Sequence, residues 1–344
     1  MPRKNNCNLS IIIPVYNEEL YIQKLFIDLK KYFNNNYTEV IVVNDGSTDQ
    51  SKKILEELKH DSYRFSIKIV NLNKNSGKGF AVREGCKVSI GKYLLLQDAD
   101  LELDIKDSRE IYEIINNDEN IKCIFGSRYL SGKLKKHSYF INEFIGRLNS
   151  LLFSILFGKS LSDIHCGLKI FDREIYNKIN LSINDFGLEI DLASQIIKNN
   201  YYIYEVGVSY FSRTVSAGKK ITWLDGIKSY YYLFKVRFLD NPLSTLISIL
   251  ISSIYMAFVG SYFGNGLGNN LFIIFFFIVG LFIGLNTKIL STLFIFASIY
   301  AGSFFGSGQG KVLSILIFFF SSILLVSKIR KNFINLNSNF YKLF

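Results

Sequence analysis

Cysteine and histidine are scarce in this chain, with four of one and three of the other in 344 residues. Cys7, Cys86, Cys123 and Cys166 lack the paired spacing of a zinc site, and His165 beside Cys166 is a lone pair without further ligands. A structural zinc site is therefore not expected, and the thiols read as reduced, small core residues of a cytosolic domain. Internal repeats, low-complexity linkers and nucleic-acid-binding motifs are also missing. The first ten residues are polar and the apolar run behind them is short, so no cleavable signal peptide is expected.

Acidic residues are outnumbered, 29 against 40 Lys and Arg, for a net charge of +11. This surplus does not read as a nucleic-acid groove. Lys219, Lys220, Lys228, Lys235 and Arg237 gather in one stretch, interleaved with Trp223, Tyr230, Tyr231, Tyr232 and Phe234. Such a mixture suits an interfacial helix drawn to anionic headgroups. From Leu243 onward charge nearly vanishes, and four apolar blocks follow: Leu243–Tyr262, Leu271–Leu285, Ile289–Phe305 and Val312–Ser327. A soluble helix keeps a polar face and these do not, so they read as membrane spans, although only the first reaches the roughly 20 residues that cross comfortably. The gaps 263–270 and 306–311 hold a single lysine, Lys311, whereas Lys288, Lys328, Arg330, Lys331 and Lys342 fall on the other side with the N-terminal domain. The positive-inside rule makes that side cytosolic, with both termini on it.

Ahead of the apolar region, strand and helix patterns alternate. Strands are expected near 9–15, 39–44, 66–71, 93–97 and 122–126, and helices near 19–33, 49–59, 78–88 and 106–116. This alternation implies an α/β domain with a mostly parallel sheet covered on both faces. Residues 141–157 form a long apolar helix, either buried in the domain or lying on a membrane interface.

Chemistry concentrates where strands end. Lys92-Tyr-Leu-Leu-Leu-Gln-Asp-Ala-Asp100 is a buried strand closing in two carboxylates, at the carboxyl edge where open α/β sheets bind ligands. Asp98 and Asp100 can share a hard divalent cation that in turn holds a diphosphate. Leu9-Ser-Ile-Ile-Ile-Pro-Val-Tyr-Asn-Glu-Glu19 and Glu39-Val-Ile-Val-Val-Asn-Asp-Gly-Ser-Thr-Asp49 are two more strands, the second ending in a carboxylate and a helix cap at 47–49. Asn73-Lys-Asn-Ser-Gly-Lys-Gly-Phe-Ala-Val-Arg-Glu-Gly85 carries a lysine through a glycine turn into a helix.

These four motifs, in this order, resemble family-2 glycosyltransferases with a type-A nucleotide-diphospho-sugar transferase fold. Phe157-Gly-Lys-Ser-Leu-Ser-Asp-Ile-His-Cys-Gly-Leu-Lys-Ile-Phe171 and Glu205-Val-Gly-Val-Ser-Tyr-Phe-Ser-Arg213, followed by Gly218-Lys-Lys-Ile-Thr222, are similar to segments of the polyprenyl-phosphate group, the dolichyl-phosphate mannose and glucose synthases. The resemblance implies a cytosolic transferase domain over 1–222, an interfacial helix over 223–242, a four-helix all-α transmembrane domain over 243–329 and a cytosolic tail over 330–344.

It also implies roles. Pro14, Tyr16, Glu18, Val43 and Asp45 would surround the nucleoside, Lys78 would approach the diphosphate, Ala99 would belong to the same donor site, and Asp98 and Asp100 would hold Mg²⁺ or Mn²⁺. Glu102 stands where family members often carry glutamine, and would be a further metal ligand. Arg128 and Arg147 match positions near the acceptor phosphate, and Arg213 matches a loop closing over the site; Arg suits phosphate because its planar fork grips two oxygens. The implied reaction moves one sugar, GDP-mannose or UDP-glucose being the donor type, to a polyprenyl phosphate in the membrane, with inversion. A processive polysaccharide synthase is the alternative enzyme, but its Gln-X-X-Arg-Trp motif is absent, because the single tryptophan, Trp223, follows Thr222. A non-catalytic membrane scaffold with a degenerate transferase domain is the remaining alternative.

Overall fold

The computed structural model describes residues 7–130, 132–136, 140–213, 223–239 and 274. The chain divides into two units at Val236 and Arg237, and the first carries the α/β domain. The four apolar blocks, Ile274 apart, and the basic tail lie outside the described residues, as do Lys219 and Lys220.

Strands β1 (Leu9–Val15), β2 (Thr38–Asn44), β3 (Ser66–Asn71), β4 (Tyr93–Leu96) and β5 (Cys123–Ser127) fall within a residue of their expected positions. A short β6 (Lys135–Lys136) follows, then β7 (Lys169–Asp172), β8 (Tyr204–Gly207) and β9 (Tyr210–Phe211). Seven of them form one sheet in the order β3-β2-β1-β4-β7-β5-β8, while β6 and β9 pair separately. All pairs in the large sheet are parallel except those of β7, which runs antiparallel between β4 and β5.

Side chains alternate across the sheet. Along β4, Tyr93 and Leu95 enter one core while Leu94 and Leu96 enter the other. The first core is closed by α1 (Ile22–Phe33), α2 (Ser51–Leu58) and α4 (Ile105–Asn117). The second lies under α3 (Lys78–Val88), α5 (Phe140–Phe157), α6 (Arg173–Lys178), α7 (Leu188–Lys198) and α8 (Trp223–Phe234). Helix α1 begins at Ile22 rather than at Glu19; residues 19–21 form a turn ahead of it, and the amides of Glu18 and Glu19 donate to Ser51 Oγ and Asp49 Oδ2.

The cavity is seeded by a proline. Gln97 N donates to Ile12 O on the β4 side of β1, and Asp45 N donates to Val15 O on the β2 side. By this alternation the N–H that Pro14 lacks would point toward β4, whose pairing with β1 has already ended at Ile12 and Leu96. No ladder bond is lost, and the two strands part at the point where strand order reverses, the usual ligand crevice of such sheets.

Helix α5 is turned inside out. It buries Gly146, Asn149 and Ser150 with Phe153, yet leaves Phe140, Phe144, Leu151 and Ile155 more than half exposed. Its inward hydroxyls hold the following loop, since Ile164 N donates to Ser150 Oγ and Leu161 N to Ser154 Oγ. It is also the one helix among the described residues long and apolar enough to cross a membrane.

Glu39 ties the opposite end of the sheet together. Its buried carboxylate accepts from Ser10 Oγ (2.5 Å), Ile90 N (2.6 Å) and Lys68 Nζ (2.8 Å). Burial raises its pKa, but these hydrogen bonds and the Lys68 charge outweigh burial and hold it below the usual range. Glu39→Ala leaves the Ser10 hydroxyl and the Ile90 amide without this acceptor while Lys68, a partly exposed side chain, turns to water, and we expect a loss of about 1–3 kcal/mol in denaturant unfolding of the domain. The stabilisation from the lowered pKa is present above the unfolded-state pKa and disappears as pH falls through the folded value, so the wild-type advantage should shrink in acid.

Candidate active site

The carboxyl ends of β1, β2 and β4 open onto a cavity of about 540 Å³. Two loops are lashed together on its β1 side. Asn17, at a positive φ of 50°, accepts from Thr48 N (2.8 Å) through its side chain and donates its own amide to Ser47 Oγ (3.0 Å). Asp45 pins the glycine turn: its two oxygens accept from Ser76 N (2.8 Å) and Gly77 N (2.9 Å). Gly46 (φ 66°) lets that turn approach, because a Cβ there would lie 2.4 Å from the backbone of Lys74. Asp45 thus shapes the loop as well as lining the cavity.

Lys78 is the first residue of α3, and its Nζ sits 2.7 Å from Asp98 and 2.9 Å from Glu189. Asp98 rests directly on the backbone of Gly167, where a Cβ would come within 1.9 Å of its carboxylate. Beyond it the chain turns sharply. Glu102 N donates to Asp100 Oδ1 (3.1 Å), and Leu101 takes a φ of 56°, a strained setting for a bulky residue.

Arg213 closes this side. Its guanidinium donates to Glu18 and to Asp100, each at 2.9 Å, with Glu102 3.7 Å away, and its amide donates to Glu102 Oε1 (2.8 Å). Asp100 remains short of positive charge. Burial first, then the neighbouring Asp98 and Glu102, push its carboxyl up to about 7 against the pull of Arg213.

Arg128 is clamped in a fork by the fully buried Asp163, Nε at 2.7 Å and Nη2 at 2.8 Å, and lies over the Tyr210 ring. Asp163 is itself oriented by Glu205, which accepts from the amides of Ser162 and Asp163.

Most of the residues singled out from sequence line this one cavity: Pro14, Tyr16, Glu18, Asp45, Lys78, Asp98, Ala99, Asp100, Glu102, Arg128 and Arg213. Two do not. Val43 is fully buried against Ile41 and Ala81, because its place in β2 turns its side chain into the core beneath α3. Arg147 is an exposed side chain that pairs with Glu143 (2.9 Å) and lies over Tyr129, 4.3 Å from the ring centre. Those two neighbours line the cavity and Arg147 does not.

The donor chemistry of Asp98, Asp100 and Glu102 fits a hard divalent cation that keeps several water or phosphate ligands. Among the described residues, no three acidic, His or Cys side chains stand close enough to close a metal site on their own. His165, which also lines the cavity, is kept neutral: burial lowers its pKa to about 4, and its Nε2 pairs with Asn149 Nδ2 at 3.1 Å.

Residues 10–179 match the family model described as Glycosyl transferase family 2. The chain belongs to that family. Its type-A α/β fold recurs in glucosyl-3-phosphoglycerate synthase from Mycobacterium tuberculosis, with a TM-score of 0.51 and 15% identity over 67% of this chain and 80% of that one. That enzyme was solved with Mn²⁺, uridine diphosphate and glucosyl-3-phosphoglycerate. Two dolichyl-phosphate beta-glucosyltransferases are similar in sequence. One, from Dictyostelium discoideum, is 29% identical over 60% of this chain and 67% of its own length. The other, from Trichomonas vaginalis, is 34% identical over 48% and 54%.

Several site residues escaped the sequence. Asp163, Gly167 and Lys169 belong to a segment, 157–171, recognised only as a whole. Glu189 sits in a helix with nothing local to mark it. The one usable signal was Lys169 itself, a charge inside the apolar run Leu168-Lys-Ile-Phe171.

Gly167→Ala tests the seat of Asp98. The added methyl has no room beside the carboxylate, so Asp98 must shift by about an ångström, and displacements of that size cost about a hundredfold in rate. We expect sugar-nucleotide turnover to fall by that order while far-ultraviolet circular dichroism stays unchanged.

Proposed function

We propose that this family 2 glycosyltransferase moves a single sugar from a nucleotide sugar to a polyprenyl phosphate of the dolichyl type, at the cytosolic face of a membrane. The relatives' names favour glucose, which makes UDP-glucose the first donor to test. One observation carries the lipid acceptor: the cavity opens beside the inverted helix α5. Ile141 and Ile145 line the cavity, and Ile141 is 64% exposed next to the exposed rings of Phe140 and Phe144. An apolar face of that kind suits the acyl boundary of a bilayer. The four apolar blocks beyond Leu243 would serve as the spans that hold the domain there.

A phosphate acceptor also fits the state of the cavity's acids. A hydroxyl acceptor needs a base, whereas Glu18 is paired with Arg213, Asp98 with Lys78, and Glu189 with two lysines. A phosphate monoester arrives already anionic. Its oxygen attacks the anomeric carbon as the bond to the diphosphate breaks, and the diphosphate leaves with the electron pair, inverting the centre. Lys78 neutralises the donor phosphates, and Arg128, held in one orientation by Asp163, receives the acceptor phosphate. Asp98 and Asp100, with Glu102 nearby, would hold Mg²⁺ or Mn²⁺, whose charge offsets that of the departing diphosphate.

Purified protein given UDP-glucose and a polyprenyl phosphate is expected to form a lipid-soluble, acid-labile product bearing one sugar. A ladder of growing polymer would show a processive synthase instead.

Arg128→Ala should separate the two substrates. Losing a charged hydrogen-bonded contact costs about 1.5–3 kcal/mol, so transfer to lipid should fall by about one to two decades. Nucleotide affinity, measured by calorimetry, should stay near wild type because Lys78 is untouched.

A further inference from the structure

The geometry points to Glu189 and Lys169 as a buried positioning pair that sets both the place and the effective charge of Lys78. The inference rests on the nucleotide-sugar reading, and names two residues that act through a third. Glu189, from α7, bridges two ammonium groups, with Oε1 2.9 Å from Lys78 Nζ and Oε2 2.5 Å from Lys169 Nζ. Lys169 stands on β7, paired across the sheet with Leu96 of β4 and with Phe125 of β5. It is fully buried, its ammonium lies over the Phe125 ring, and it also donates to Cys166 O. It does not line the cavity, whereas Lys78 and Glu189 do.

Lys78, Lys169 and Glu189 together carry +1, which offsets Asp98 on the other side of Lys78 and leaves the four-group cluster neutral. Without Lys169 the cluster would carry −1, and Lys78, flanked by two carboxylates, would offer an incoming anion no net attraction. Without Glu189, two positive charges would remain, but Lys78 would keep only Asp98 to fix its direction. Lys169 therefore tunes attraction and Glu189 tunes aim. In a low-dielectric setting such a charge is felt beyond direct contact, which is why a residue outside the cavity can govern binding within it. The ionisation of Glu189 agrees: burial opposes its charge, but Lys169 and then Lys78 outweigh burial and hold its carboxyl down to about 2.

These roles predict opposite effects from removing the two charges. Lys169→Met keeps the length and the apolar contact with Phe125, and Glu189 still retains Lys78 as its partner, so the variant is expected to fold. Full-length protein in detergent with Mn²⁺ would be titrated with UDP and with GDP by calorimetry, and turnover of UDP-glucose measured in parallel. Lys169→Met should weaken binding of the nucleoside diphosphate by about tenfold, through loss of one unit of local charge. Glu189→Gln should bind it as tightly as wild type or tighter, while kcat falls by about tenfold or more as Lys78 loses its aim. The double variant returns the cluster to neutrality, so it should recover affinity without recovering kcat.

A purely structural pair would behave otherwise. Both single variants would then lose affinity together, in step with a lower Tm, and the double would recover nothing; that result overturns the inference. Wild-type protein that turns over UDP-glucose while Lys169→Met binds UDP unchanged also overturns it, leaving the enzymatic reading intact. Wild-type protein that binds neither UDP nor GDP removes the nucleotide-sugar reading, and this inference with it.

Discussion

A cavity walled by carboxylates can exist inside a folded domain only if positive charge is interleaved with them, because an unpaired buried charge is far more costly than any packing gain nearby. Here the interleaving is done by few groups. Lys78 stands between Asp98 and Glu189, and Arg213 between Glu18 and Asp100. Arg128 is locked into Asp163, and Glu189 is balanced from behind by Lys169. Asp100 is the least well compensated, with its carboxyl pushed up to about 7. The least balanced acid is also the one at the turn where Leu101 is strained, so electrostatic and backbone strain coincide at the end of β4.

The sheet makes this arrangement possible. Parallel strands β1, β2 and β4 bring their carboxyl ends to one edge, and the pairing of β1 with β4 ends just before Pro14. The antiparallel β7 then does what a parallel strand could not. It runs back alongside β4 from the cavity edge, so its first residue, Lys169, pairs with Leu96, and the preceding Gly167 lies under Asp98. Helix α5 completes the wall in reverse polarity, its hydroxyls and amide turned toward the protein and the rings of Phe140 and Phe144 toward the outside.

The first five strands and four helices were legible because their information is local. Buried parallel strands are runs of β-branched and aliphatic residues, and the amphipathic helices between them repeat on a period that a single segment displays. The same holds for the donor-side motifs, each of which is a strand end followed by a turn. After Ser127, helix α5 was still legible, within a residue of the expected 141–157, but the short strands were not: β7 is a four-residue strand with a lysine in it, and β8 carries a glutamate and a glycine. Their strand character comes from neighbours already in place, not from their own composition.

By itself the sequence determined the α/β class of the first domain, the order of its first five strands along the chain, the acids and the lysine at strand ends, and the apolar composition beyond Leu243. Only the tertiary structure decided which charges meet. Lys78 reaches Glu189 across 111 positions of chain, and Asp100 reaches Arg213 across 113. It also turned Val43 into the core, left Arg147 outside the cavity and gave Lys169 a buried role. The physical reason is range: backbone preference and hydrophobic period act over a few residues, whereas the partner of a charge is set by topology, which no local pattern encodes.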